Sequence, residues 1–341
     1  MAITIKDIAK RVGKSVTTVS RALHDYDDVS EDTKELVRRV AAEMGYTPSS
    51  FAQRLQKQQT DTIGVILPTF GPRFSDPFFS ELIAGIGNRA ASFGYDMLVS
   101  TQSPGDDELE TYRKLINGRR VDGFIIVRTR CHDKRIDFLL NQNFPFVAFG
   151  CVEGDVSFPF VDEDGAHGMR LVADHLVQFG FKRIACIAPN PELTFAARRI
   201  SGLKEGLEVY GITLKDDYIR NGDLTQRGGY EQAIKLLDIA EPPEAIVACN
   251  DLMAFGAMSA AQERGLVVGR DIAITGFDDI PMAEHSHPPL TTVHQPVYKI
   301  GGMVCEMLIK LIQGEHLEQE HIVLKPTLVV RQSCGEKIGR E

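Results

Sequence analysis

Positive charge is in short supply in this sequence: 38 lysines and arginines face 47 aspartates and glutamates, a net charge of −9 with histidine neutral. Taken over the whole chain, that balance gives no support for a surface that binds polyanions. Cysteine patterning is also lacking. The six cysteines, Cys131, Cys151, Cys186, Cys249, Cys305 and Cys334, are scattered with no C-x-x-C pair, which argues against a zinc site or a disulfide framework and for reduced structural thiols. The opening MAITIKDIAK has no apolar secretion core, and no apolar run reaches membrane-spanning length, so a cytoplasmic protein without a membrane partner is expected. No G-x-S-x-G elbow, P-loop or G-x-G-x-x-G after a strand is found, which removes the commonest nucleophile and phosphate-cradle devices. Low-complexity segments and short solenoid periods are absent as well.

What is there divides unevenly along the chain. A length of 341 residues with 43% hydrophobic and 25% charged residues exceeds what one compact core usually organises, so at least two folded units are expected. Within residues 1–24, Lys6, Lys10, Arg11, Lys14 and Arg21 oppose Asp7 alone. Positive charge is therefore concentrated at the N-terminus of an acidic protein, the pattern of a small DNA-reading module attached to a larger domain.

Residues 4–45 read as three short helices. Thr4 with Asp7 makes a capping-box-like start, Ile5, Ile8, Ala9 and Val12 form one apolar stripe, and Gly13 ends the first helix. Ser15 caps the second, which turns Val19, Ala22 and Leu23 inward. Ser30, followed by Glu31 and Asp32, opens the third, which buries Leu36, Val37, Val40, Ala41 and Met44 before Gly45. So short a turn between the first two helices makes a helix-turn-helix, although a plain three-helix bundle with a solvated face has the same geometry. The outward side chains of helix two, Val16, Thr17, Ser20 and Arg21, favour the first reading. They suit thymine methyls, phosphate oxygens and guanine acceptors better than an idle Glu/Lys surface would.

The segments ITIKDIAKRVGKSVTTVSRAL and VSEDTKELVRRVAAEMGYTPSSFAQRL resemble the DNA-binding region of the lactose repressor (LacI/GalR) family of bacterial transcription regulators. The resemblance places Val16, Thr17 and Arg21 at base-reading positions. It places Thr4, Ser15, Ser20, Ser30, Thr33 and Tyr46 at phosphate-contacting ones. It further implies a hinge helix at about residues 49–56, with Leu55 as a minor-groove leucine. The residues are compatible with this: Pro48 restricts Thr47, Ser49 or Ser50 supplies a cap, Ala52 permits close helix packing, and Leu55 is an isolated apolar wedge on a polar segment. The expected organisation is a DNA-binding domain over 1–47, a hinge and linker over 48–60 and a core over 61–341.

Within the core, TIGVIL, YDMLVS, GFIIV, FVAFG, RIACIA, AIVACN and IAITGF read as strands separated by helical stretches, several of which end on a glycine such as Gly94, Gly180 or Gly265. That is a doubly wound α/β pattern, and the two stretches of βα units look like two similar halves. The family resemblance extends through this region and implies a two-lobed, periplasmic-binding-protein-like core with three crossings. Lobe one is expected at about 61–162 with 292–324, and lobe two at about 163–291 with 325–341.

Ligand residues are expected at the carboxyl ends of strands. Phe78 and Phe79 follow TIGVILP; Phe78 is favoured for the ligand and Phe79 for the core, with either assignment open. The resemblance places Arg199 and Asp278 on effector-binding positions, with Arg198 as a solvated neighbour and Asp279 as a cap. Asn250 follows another strand, where capping competes with ligand contact, and Asp251 reads as a cap. Gly150 and Cys151 stand where many sugar-responsive relatives carry a charged residue, so no particular sugar carries over. A sugar or sugar derivative fits this Phe, Arg and Asp set, with a purine-type corepressor as the alternative. No cofactor, metal or catalytic residue is expected. Asp162, Glu163, Asp164, Asp278 and Asp279 could be imagined as acid–base pairs, but each falls where a strand gives way to a helix and a cap is needed. A sugar-acting enzyme and a transport receptor are the rival classes, and neither explains the DNA-reading helices. A homodimer on a roughly palindromic operator is expected; the tail SCGEKIGRE carries no leucine heptad for a coiled-coil tetramer.

Overall fold

The computed structural model describes residues 3–46, 59–69, 76–103, 105, 107–154 and 156–335. The chain falls into two compact units, Met1–Thr60 and Asp61–Glu341. The expected hinge helix, with Pro48, Ala52 and Leu55, lies outside the described residues.

In the first unit, α1 (Ile5–Val12), α2 (Val16–Leu23) and α3 (Glu31–Glu43) form where the capping residues place them. The Asp7 carboxylate accepts from the Thr4 N–H and hydroxyl at 2.8 and 2.7 Å. Gly13 ends α1 at φ 66°, a left-handed conformation that glycine adopts without strain. Ser15 Oγ accepts from the Thr18 N–H at 3.0 Å. Ile8, Val19, Ala22 and Val37 have no exposed surface, and burying each Ile or Val is worth about 1.5–3 kcal/mol. These side chains come from all three helices, so the unit holds together by sharing one small core.

The second unit contains two six-stranded sheets. β1 (Thr62–Pro68), β2 (Asp96–Gln102), β3 (Gly123–Ile126), β4 (Phe146–Phe149), β5 (Phe160–Glu163) and β11 (His321–Leu324) make the first, in the order β11-β5-β4-β3-β1-β2. β6 (Ile184–Ala188), β7 (Ile219–Asn221), β8 (Ala245–Ala248), β9 (Ala273–Asp278), β10 (Thr291–His294) and β12 (Thr327–Val329) make the second, in the order β12-β10-β9-β8-β6-β7. Both sheets are parallel except for the antiparallel pair β10–β12. Setting aside the last strand of each, the two orders are the same, so the halves repeat one doubly wound plan. β1 is buried along its whole length, as a strand covered on both faces must be.

The flanking helices are α4 (Pro77–Ser92), α5 (Glu108–Asn117), α6 (Lys134–Asn141), α7 (Gly165–Gln178), α8 (Thr194–Glu208), α9 (Gln226–Leu237), α10 (Asp251–Glu263), α11 (Met282–His285) and α12 (Val297–Ile312). Gly94, Gly180 and Gly265 follow α4, α7 and α10 with φ of 75°, 87° and 74°, the left-handed turn that releases each helix into the next segment.

The chain passes between the sheets three times, after Glu163, after His294 and after Leu324. The sequence-based boundaries therefore shift slightly. Glu163 stays in the first sheet, and Thr292–His294 belong to the second, because Thr292 and Val293 pair in register with Gly276 and Phe277 of β9. A four-residue strand reading TTVH is too short and too polar to announce itself as an apolar run.

α9 and α10 cross closely through Gly229 and Gly256. A Cβ on Gly256 would collide with the Gln226 carbonyl and the Tyr230 N–H, both main-chain groups. Backbone cannot rotate aside as a side chain does, so Gly256→Ala is expected to lower stability by about 1–3 kcal/mol, read as a fall in the urea midpoint of the core transition with an unchanged slope.

Candidate ligand cleft and DNA-reading face

A cleft opens at the carboxyl ends of the strands, lined from both halves of the second unit. Its residues follow the strands that flank the two reversals of strand order: Phe78 after β1, Arg128 after β3, Arg199 after β6 and Asn250 after β8. Connections diverge to opposite faces of a sheet at such a reversal, which leaves a crevice between them.

Arg199 anchors the second-lobe side. Its side chain is 4% exposed, and its Nη2 and Nη1 donate to Glu163 Oε1 at 2.5 Å and to the Cys249 carbonyl at 2.6 Å. The guanidinium carbon lies 3.4 Å from the ring centroid of Phe277 and 4.9 Å from that of Phe195, and Asp278 stands 3.6 Å away. Gln295 Nε2 donates to Asp278 Oδ1 at 2.6 Å. Three polar atoms of cleft-lining residues, the donor Nε of Arg199, the acceptor Oε1 of Gln295 and the hydroxyl of Thr194, are buried without a hydrogen-bond partner. Buried polar groups are rarely left unmatched, so a ligand that supplies an acceptor and a donor is the natural complement.

Asp278 holds a φ of 110°, a conformation that an L-residue adopts only where its surroundings impose it. Burial pushes its carboxyl up to about 7, against the opposing pull of Arg199. Burial, with Glu163 beside it, does the same to Asp162, which rises to about 7 although Arg198 reaches it at 3.4 Å. On the first-lobe side Arg128 donates to Asp76 at 2.7 Å. Above this polar floor Phe78 stacks on Phe149 with centroids 5.8 Å apart and planes 24° apart. Phe79 is not part of that wall. It is 1% exposed, packed in the first-lobe core, with its edge against Phe78, because position 79 continues the stripe of Leu82 and Ile86 that α4 turns inward.

Asn250 lines the cleft and is also the cap of α10, accepting from the Met253 N–H at 3.0 Å while its Nδ2 donates to the Leu224 carbonyl at 3.1 Å. Two expected caps are not caps. Asp251 is turned into the interior, where it accepts from Thr292 at 2.5 Å and from the Ile280 N–H at 2.8 Å, and Asp279 accepts from Arg331 at 2.8 Å and lies 3.0 Å from His294. Asp164 does cap α7. Beside the cleft the lobes touch directly: the Thr194 N–H donates to the Thr129 carbonyl at 3.0 Å and the Cys131 N–H to the Glu192 carbonyl at 2.8 Å.

In the first unit α2 turns Val16, Thr17 and Arg21 outward, with Ser20 half-buried. Thr4, Ser15 and Ser30 are exposed at helix starts, while Thr33 and Tyr46 are half-buried. Arg21 is paired with Asp28 at 2.7 Å and lies 5.1 Å from the ring centroid of Tyr26.

Comparison with known proteins gives both units a family. The profile "Bacterial regulatory proteins, lacI family" matches residues 4–49, and that of a periplasmic binding protein-like domain matches residues 173–334. The HTH-type transcriptional repressor CytR of Escherichia coli (strain K12) is 34% identical over 333 residues, 97% of this chain and 96% of its own length. The chain belongs to the lacI family of bacterial regulatory proteins. Among solved structures, the lac repressor dimer bound to operator and an anti-inducer covers 98% of this chain and 100% of its own, with a TM-score of 0.86 at 29% identity. The CelR–cellobiose complex covers 97% and 99%, with a TM-score of 0.76 at 30% identity. This lacI-family chain is a DNA-binding transcription regulator under effector control, and not an enzyme. No helix among the described residues is long and apolar enough to cross a membrane.

Asp76, Arg128, Phe149, Thr194, Phe195 and Gln295 line the cleft without being among the site residues expected from the sequence, and Asp162 and Glu163, expected as caps, line it as well. Arg128 directly follows the strand read as GFIIV, so the carboxyl-end rule already applied to it. Gln295 was hidden because β10 was.

The raised carboxyls make a pH prediction with a definite sign. The folded, ligand-free protein keeps protons on Asp278 and Asp162 up to about 7, whereas an unfolded chain releases them near pH 4. The folded state thus binds more protons between about pH 4 and 7, and the stability these groups contribute is lost as pH rises through that window, by about 2–4 kcal/mol per group at most. Asp278→Asn, tolerant of positive φ, should therefore unfold at higher urea than the parent at pH 8 and differ less from it at pH 5. Parallel pH profiles for the two proteins would contradict this.

Proposed function

We propose that this chain is a cytoplasmic repressor that binds a roughly two-fold symmetric operator as a homodimer and takes a sugar or sugar derivative in its cleft. The observation that carries the effector class is the pairing of an aromatic wall, Phe78 on Phe149, with the network of Arg199, Asp278, Glu163 and Gln295 beneath it. A pyranose or furanose has an apolar face for the rings and hydroxyls that both donate and accept. Four carboxylates, from Asp76, Asp162, Glu163 and Asp278, share the cleft with Arg128 and Arg199, which suits a ligand rich in donors. The named cellobiose complex of CelR supports the class, and the operator-bound lac repressor dimer supports the assembly. A dimer also answers the geometry of DNA, since one recognition helix reads one half-site.

On the DNA side, Val16, Thr17 and Arg21 read bases, and Thr4, Ser15, Ser20, Ser30, Thr33 and Tyr46 position the unit on phosphates. The coupling between ligand and operator runs through residues 48–60 with Ala52 and Leu55; the support for that route is the sequence resemblance.

Thermal unfolding of the full chain with cellobiose, ribose and common monosaccharides, set against nucleobases, tests the effector class. A ligand at one hundred times its Kd stabilises the folded state by about 2.7 kcal/mol. A sugar should raise the midpoint, and stabilisation by a nucleobase alone would overturn the class. Selection from random duplexes tests the DNA assignment: Arg21→Ala should lose about 1–3 kcal/mol of preference at one base pair, whereas Ser30→Ala should weaken all sequences alike.

A further inference from the structure

We infer that Asp28 is a positioning residue for base reading: its carboxylate holds the Arg21 guanidinium in the orientation that α2 presents, and so sets selectivity at the base pair Arg21 contacts. The inference rests on α2 being the recognition helix, as proposed above.

The Arg21–Asp28 pair has little to do for the fold. Its side chains are 44% and 53% exposed, and ion pairs so open to water contribute little to stability. The loop between α2 and α3 carries Asp25, Asp27 and Asp28, and they are not equivalent. Asp25 is engaged by Lys34 at 3.1 Å and Arg38 at 2.8 Å, which ties the loop down onto α3. Asp28 reaches the other way, to Nη2 of Arg21 at 2.7 Å. Tyr26 completes the restraint with its ring 5.1 Å from the guanidinium carbon. A carboxylate on one nitrogen and a ring against the group fix an otherwise flexible side chain. The remaining N–H groups stay free for the paired O6 and N7 acceptors of a guanine.

An acid beside a DNA-reading face also repels phosphate, so Asp28 disfavours every duplex in which Arg21 finds no guanine to offset it. Selectivity rises both because the right contact is pre-set and because wrong ones are discouraged.

The test uses the full chain, a random duplex library with sequencing of bound DNA, and fluorescence anisotropy on selected and scrambled duplexes. Arg21→Ala first identifies the base pair that Arg21 reads, as the position whose preference disappears. Asp28→Asn is expected to reduce preference at that same position by about three- to tenfold, to leave other positions unchanged, and to tighten binding to scrambled duplexes. Asp28→Glu should retain most of the preference. Added to Arg21→Ala, Asp28→Asn should change nothing further at that position. If Asp28→Asn tightens binding to all duplexes by one common factor, with the Arg21 position intact, the acid is only a repulsive charge and the inference falls. An equal effect with and without Arg21 would overturn it as well. A parent protein that selects no sequence would refute the recognition-helix reading itself and this inference with it, an outcome distinct from the other two.

Discussion

The floor of the cleft depends on a buried cation. Arg199 is almost wholly removed from water, and an isolated charge there would be prohibitive, so its partners are requirements rather than accessories. They come from separate places in the chain: Glu163 from the end of β5, the Cys249 carbonyl from just beyond β8, and the ring of Phe277 from β9. The surrounding backbone has to make room. A Cβ at Gly165, the first residue of α7, would lie 3.1 Å from Arg199 Cγ, and one at Gly202 would strike the main chain of Ala166. Two glycines thus let α7 and α8 approach closely enough for the guanidinium to sit over the strand ends. Removing one partner of such a group typically costs about 3–5 kcal/mol because the other is left buried and unpaired. The cleft floor and the packing of the second lobe are therefore the same structure.

Glu163 and Gln295 give this floor a mechanical meaning. Each lies at a place where the chain passes between the sheets: Glu163 ends β5 before the first crossing and Gln295 follows β10 at the second. A ligand that engages Asp278, Gln295 or Arg199 therefore touches the pivot of the lobes. The direct contacts of Thr129 with Thr194 and of Cys131 with Glu192 are ones that any opening of the lobes must break. A ligand shifts such an equilibrium only by the difference in its affinity for the two arrangements.

Legibility in the sequence followed the range of the interactions. The three N-terminal helices could be read because Thr4, Gly13, Ser15 and Ser30 act on residues three or four positions away. Of the seven strands that could be read, β1 shows the clearest reason, since a strand covered on both faces is a continuous apolar run, as in TIGVILP, whereas β2 is an edge strand with exposed and half-buried residues. β5, β7, β10, β11 and β12 could not be read. They are three or four residues long, and β10 and β11 carry threonine or histidine at their ends; what makes them strands is a distant neighbour already in place. Phe78 and Phe79 show the same limit within one element. Adjacent residues on a helix point about 100° apart, so one was bound to face the core, but which one depends on where α4 meets the sheet.

The buried carboxylates mark the deeper limit. Asp162, Glu163 and Asp164 are consecutive acids after an apolar run, and local chemistry offers each the same use as a helix cap. Only Asp164 has it. Asp162 and Glu163 end a strand whose carboxyl edge faces a cleft, and their environment is made by Arg198 and Arg199, more than thirty positions away. Their value to the protein depends on that placement. A carboxylate pressed into a cleft with too few cations is costly until something supplies donors. The cleft is thus a place where folding has left an electrostatic deficit of donors, and a ligand would be stabilised there to the extent that it removed the deficit.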